Sequence, residues 1–174
     1  VHGSRGLGDV YKRQIFGSKK MGAMVPPSRK SCYNFRVVSI DRVVDGDTID
    51  VTIDLGFDLY KKERVRVAGV DTPEKRTRDL DEKELGIDAT NWMKKNLEDT
   101  IDGDDELIIR TELKGGVGKY GRLLGWLYVG DDNVSLNEQM ITEGYAWAYD
   151  GGTKQKNFEE LREIRRSKGT LNEG

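Results

Sequence analysis

Two short acidic segments hold most of the chemistry this chain can offer. Asp45-Gly46-Asp47-Thr48 places two carboxylates about a glycine, and Asp71-Thr72-Pro73-Glu74 places two more at the end of a later apolar run. The first segment alone reads as a plain turn, because Asp and Gly both suit tight turns. The second changes that reading. Pro73 fixes its own φ and biases Thr72 toward an extended conformation, from which Thr72 could turn its carbonyl toward whatever the acids bind. If the intervening strands are adjacent and antiparallel, Asp47 at the start of one and Asp71 at the end of the next fall at the same end of the sheet. Like charges that close repel unless a cation lies between them. Oxygen donors without His or Cys suit Ca²⁺ or Mg²⁺. Arg66 lies on the strand that leads into Asp71, and Arg122 heads another strand in Lys119-Tyr120-Gly121-Arg122. Either arginine alone reads as a surface ion pair. Beside a carboxylate-bound cation, two guanidinium forks would match a phosphoryl group.

The elements that must position these groups follow from hydropathy patterning. Tyr33 to Val44 is rich in β-branched and aromatic residues, and Thr48 to Leu55 alternates strictly, with Ile49, Val51, Ile53 and Leu55 on one face. Glu63 to Val70 alternates again, which predicts a three-stranded antiparallel meander. Ala89, Trp92, Met93 and Leu97 recur at helical spacing and predict a helix over roughly 87–97. Leu107 to Thr111 and Leu123 to Val129 supply two more strands. Ser135 with Glu138 forms a capping box for a short helix through Leu136, Met140 and Ile141 that Gly144 ends. Phe158, Leu161 and Ile164 mark a last helix, basic at its C-terminal end. Five short strands with three helices predict an α+β domain built on a five-stranded OB-fold β-barrel. The acidic runs Asp79 to Glu84 and Glu98 to Glu106 lack EF-hand spacing and read as solvated loops.

Composition narrows the chemistry further. The 174 residues include one histidine, His2, and one cysteine, Cys32. A His/Cys zinc site, a Ser-His-Asp triad and an internal disulfide are therefore excluded. No apolar run approaches the ~20 residues of a membrane span, so no membrane partner is expected. The net charge of −2 hides an uneven distribution, with seven basic residues against Asp9 in the first 33 and 22 basic against 30 acidic groups thereafter. An acidic body argues against gripping nucleic acid by bulk electrostatics, so a polyanion would need a local basic site or a bridging cation. Residues 1–32 lack apolar periodicity and read as a disordered or artefactual tail, in which Leu7 to Gln14 looks like translated linker sequence. Residues 33–174 would then form the folded domain.

The order V-D-G-D-T (Val44 to Thr48), R-V-R-V-A-G-V-D-T-P-E (Arg64 to Glu74), K-Y-G-R (Lys119 to Arg122) and L-N-E-Q-M-I-T-E-G-Y-A (Leu136 to Ala146) resembles the staphylococcal nuclease family. That resemblance implies Ca²⁺-dependent hydrolysis of DNA and RNA at the 5′ P–O bond, leaving 3′-phosphates. It implies one Ca²⁺ held by Asp47 and Asp71 with the Thr72 backbone carbonyl, and outer support from Asp45. Glu74 matches the proposed general base, Arg66 and Arg122 the phosphate-binding arginines, and Lys119 and Tyr120 the contacts to a neighbouring phosphate. Single-stranded or frayed substrate and a monomeric state are expected. The rival reading is a catalytically inert OB-fold module that binds single strands, for which loss of the arginines or carboxylates would be expected.

Overall fold

The computed structural model describes residues 26, 32–103, 105–112, 122–154 and 156–171. The tail expected over 1–32 lies almost wholly outside the described residues, as do Lys119 and Tyr120.

A closed barrel has the strand order β1-β2-β3-β6-β5, from β1 (Cys32–Asp45), β2 (Thr48–Asp54), β3 (Tyr60–Val67), β5 (Leu107–Glu112) and β6 (Leu123–Val129). β1 is long enough to serve two neighbours. Its first half pairs with β5, from Cys32↔Glu112 to Arg36↔Ile108, and the rest pairs with β2 through three irregularities of register. Such bulges bend a strand and sharpen its twist, which lets one strand turn a barrel corner. β3 and β6 close the cylinder as a parallel pair, Val65↔Leu123 to Val67↔Gly125. A parallel pair needs a long crossover. Here α1 (Leu80–Asp102) and β5 lie between the two strands in sequence.

The alternating residues Ile49, Val51, Ile53, Val65 and Val67 fill the barrel. α1 lays Ala89, Met93 and Leu97 against them, and α2 (Leu136–Thr142) adds Leu136 and Met140. α3 (Phe158–Ser167) completes the three helices among the described residues. The five-stranded barrel with helices matches the expected OB-type α+β fold, and Ser135 with Glu138 forms the anticipated capping box.

Two differences from the sequence reading bear on the site. Helix α1 begins seven residues earlier and ends five later than the 87–97 expectation, at Leu80 and Asp102. Both acidic runs read as loops enter this helix: Glu98 to Asp102 forms its last turn, and Asp79 to Glu84 forms its cap and first turn, where the Asp79 carboxylate caps the Asp81 and Glu82 amides and negative charge complements the helix dipole. The strand expected to run to Val70 instead breaks after Val67. Ala68 and Gly69, the latter at φ +73°, form a turn there. Val70–Asp71 then forms β4 and pairs with β7 (Trp147–Ala148).

Candidate active site

The two acidic turns meet because both are pressed onto α1. At Gly46 an added Cβ would lie 3.0 Å from the Ala89 Cβ and 3.0 Å from the Thr72 Cγ2, so the first turn is wedged between the helix and the second acidic segment. At Gly86 an added Cβ would lie 2.7 Å from the Pro73 carbonyl oxygen and 2.6 Å from the Lys75 amide nitrogen, so the second segment lies flat on the same helix. A side chain at Gly86 would lever the second segment off its seat, whereas one at Gly46 would require its neighbours to give by a few tenths of an ångström.

Asp47 is buried within this contact. Its Oδ2 accepts from the Thr72 amide at 3.2 Å and the Thr72 hydroxyl at 3.0 Å, while Oδ1 accepts from the Thr48 hydroxyl at 3.0 Å. Arg66 bridges the two turns. Its Nη1 pairs with the Asp47 carboxylate and donates to the Asp47 carbonyl, while Nη2 donates to the Val70 carbonyl at 3.1 Å and to Asp71 Oδ1 at 3.3 Å. The same Asp71 oxygen receives Lys154 Nζ at 2.6 Å. Side-chain exposure is 14% for Arg66, 12% for Asp47 and 5% for Asp71. The positive charge that two adjacent carboxylates demand is supplied here by a guanidinium and an ammonium.

Asp45 and Glu74 stand at the edge of this cluster and are linked through Arg76. Arg76 Nη2 donates to Asp45 Oδ2 at 2.8 Å, and the Arg76 amide donates to Glu74 Oε1 at 3.0 Å. The other Asp45 oxygen is buried and accepts no hydrogen bond, with the Lys75 ammonium 3.6 Å away. Glu74 presents a half-exposed carboxylate, while its own amide donates to Glu82 Oε1 at 3.2 Å.

Arg122 lies elsewhere along the same strands. It lines an open hollow of about 810 Å³ with Asp50, Lys62, Glu63 and Arg64. The bonds of Asp47, Arg66 and Asp71 described above run to one another and to Thr48, Val70, Thr72 and Lys154. In that hollow Arg64 grips Asp50 with Nε at 2.6 Å and Nη2 at 2.8 Å. The hydrogen-bonded guanidinium holds the Asp50 carboxyl below its usual range, and Asp50 in turn raises Arg64, with a lesser contribution from the charge of Asp45.

Trp147 and Tyr145, around the end of the fourth motif, pack against the protein. Trp147 is buried against Phe158 at 5.7 Å and donates from its indole to the Asn157 carbonyl, and Tyr145 lies 5.7 Å from Trp92. Lys154, Arg76, Glu82 and Gly86 carried no reading as site residues. Gly86 fell just outside the helix expected over 87–97, so the cost of about 1 kcal/mol that a glycine carries inside a helix gave no signal there. The loop lysine had none either.

The donor set suits a hard divalent cation: Asp45, Asp47 and Asp71 offer only oxygens, and one of those oxygens is buried without a hydrogen bond. Among the described residues, no three His, Cys, Asp or Glu side chains converge as a metal cage.

Comparison with known proteins agrees with this architecture. The model of the family "Staphylococcal nuclease homologue" matches residues 64–169, which include Arg66, Asp71, Glu74 and Arg122. Endonuclease YncB of Bacillus subtilis is 34% identical over 141 residues, covering 78% of this chain and 59% of the relative. A thermonuclease of Staphylococcus intermedius is 36% identical over 125 residues, covering 70% of this chain and 66% of the relative. The SPbeta prophage-derived endonuclease YokF of Bacillus subtilis is 36% identical over 120 residues but is covered for only 36% of its length. The chain thus spans less than two thirds of each of these relatives. With residues 64–169, more than half of its length, matched by the family model, the chain belongs to the staphylococcal nuclease homologue family.

Proposed function

We propose that the chain is a nuclease that hydrolyses phosphodiester bonds of DNA and RNA, breaking the 5′ P–O bond and leaving 3′-phosphates, with one Ca²⁺ as cofactor. The observation that carries this reading is the meeting of Asp47 and Asp71, from two separate turns, on one partly buried guanidinium, that of Arg66. The relatives named endonuclease and thermonuclease support it.

In-line attack of water on a phosphodiester requires a proton acceptor for the water, alignment of that water, and positive charge for the phosphoryl oxygens. Asp47, Asp71 and the Thr72 carbonyl would hold the cation, with Asp45 in support. When bound, Ca²⁺ supplies Lewis-acid polarisation of a phosphate oxygen. Glu74 takes the proton from the attacking water on its carboxylate, which its half-exposed position leaves open to solvent. Arg66 offers its fork to the phosphoryl oxygens in place of the carboxylates it now neutralises, and Arg122 adds a second fork. Lys119 and Tyr120 hold the phosphate of the adjoining nucleotide. A local cation and two arginines let an acidic body bind a polyanion without a broad basic face, which favours unpaired or frayed strands and a chain that acts as a monomer.

The test is cleavage of fluorescent DNA and RNA oligonucleotides with added Ca²⁺ and then with excess chelator. The expected result is cleavage that stops on chelation and products ending in 3′-phosphate. Strand binding without cleavage would overturn the proposal in favour of an inert strand-binding barrel.

A further inference from the structure

Among the described residues a glutamate occupies the third position of each helix, Glu82 in α1, Glu138 in α2 and the exposed Glu160 in α3, and the first two behave differently. Glu138 in α2 folds back onto its own cap, accepting from the Ser135 amide at 3.0 Å. Glu82 sits at the matching position of α1, three residues after the capping Asp79, and does not close onto its cap. The Asp79 amide bonds the Thr77 hydroxyl instead. Glu82 Oε1 reaches off the helix and accepts from the Glu74 amide at 3.2 Å and from Lys156 Nζ at 2.6 Å.

Burial sharpens the contrast. Glu82 is 7% exposed in its side chain, although its neighbours Asp81, Lys83 and Glu84 are all exposed. A carboxylate withdrawn from water so far must be paired with positive charge. Lys156 supplies it from the segment between β7 and α3, where its own side chain remains 48% exposed. Arg162 against Asp81 at 3.4 Å and Arg165 against Asp88 at 2.7 Å tie α3 to the same flank of α1. The seat at Gly86 presses the Pro73–Lys75 backbone onto the helix but has no directional bond. Glu82 provides one, to the amide of the residue whose carboxylate must face the water.

We propose that Lys156 and Glu82 form a positioning pair for Glu74, with Lys156 keeping the Glu82 carboxylate buried and aimed at the Glu74 amide. The proposal rests on the reading of Glu74 as general base, although the brace itself does not depend on catalysis. Without the ammonium, the carboxylate turns to solvent, and the Glu74 amide loses its acceptor. Neither residue touches substrate.

The experiment compares the full chain with its Lys156→Met and Lys156→Arg variants. Amide hydrogen exchange at Glu74 reads the brace directly, with the Thr72 amide, bonded to Asp47, as internal reference. Lys156→Met is expected to speed Glu74 exchange by about fivefold or more while leaving Thr72 unchanged. With Ca²⁺ and a fluorescent oligonucleotide, kcat should fall about tenfold with KM within about twofold, because the base is misaligned while substrate contacts remain. Lys156→Arg should restore both. Unchanged Glu74 exchange in Lys156→Met would overturn the brace, and faster exchange with wild-type kcat would overturn its role in positioning. A fall confined to binding, seen as raised KM at unchanged kcat, would also overturn it. A wild-type chain that cleaves nothing would defeat the nuclease reading instead, and the exchange comparison would still decide the brace.

Discussion

Arg64 and Arg66 stand two residues apart on one face of β3, and each holds an aspartate, yet only one is built into a site. Arg64 and Asp50 are direct register partners across the β2–β3 ladder, and the arginine side chain is 52% exposed. The guanidinium of Arg66 instead joins two turns distant in sequence and is 14% exposed. The bidentate geometry at Arg64 is the better of the two, with bonds of 2.6 and 2.8 Å. Good geometry in water contributes little, because solvent screens the pair and both long side chains must be ordered. Burial raises what is lost when a partner goes, since the remaining charge is stranded in a poor solvent. What separates a surface ion pair from a site here is which elements the arginine joins and how much water it excludes.

The sharpest way to break this contrast is Arg66→Met. It should cut cleavage by about 10³-fold and, without Ca²⁺, lower stability by about 3 kcal/mol, because Asp47 and Asp71 lose their shared partner. Added Ca²⁺ should recover part of that stability, read as a rise in the thermal unfolding midpoint, if the cation takes over the two carboxylates. No rescue would mean that the acids serve Arg66 alone. Next in size is Glu74→Gln, for which about a 10²-fold loss of kcat is expected with the unfolding midpoint unchanged, since the side chain is 53% exposed. Lys154→Ala removes an ammonium 2.6 Å from Asp71 and should tighten Ca²⁺ binding about fivefold by calorimetry. Weaker binding would show that the lysine organises the acid and does not compete for it.

The smallest effect belongs to the exposed pair. Arg64→Gln should leave the thermal unfolding midpoint nearly unchanged and cleavage within about twofold. The pH dependence of the Arg64–Asp50 pair has a definite sign. Asp50 is depressed by the Arg64 hydrogen bond, so its contribution is fully present above the ordinary carboxylate range and is lost as pH falls through its lower folded value. Wild type and Arg64→Gln should therefore converge in stability only in strongly acidic solution. Divergence that grows toward low pH would reverse that assignment.

Much of this arrangement was legible in the residues. Strict alternation from Ile49 to Ile53 fixed β2 and its buried face, and the four carboxylates of the two acidic turns stood out by type and spacing. The longer span of α1 was hidden because an acidic first turn looks like solvated loop unless its cap is recognised. Two-residue strands such as β4 and β7 have no period to read. Glu82 and Lys156 meet across 74 positions, and neither lies in a local pattern that points to the other. Arg66 was legible as a phosphate ligand but not as the brace between Asp47 and Asp71, because that role exists only once the two turns are seated on α1.

The central claim is that Asp47 and Asp71 share one divalent cation in the place where Arg66 now joins them. Calorimetric titration of Ca²⁺ into the wild-type chain, Asp47→Asn and Asp71→Asn tests it most directly. The expected result is one ion per wild-type chain and a loss of affinity of about tenfold or more in each variant. Equal affinity in all three chains, or loss in only one variant, would contradict a shared site.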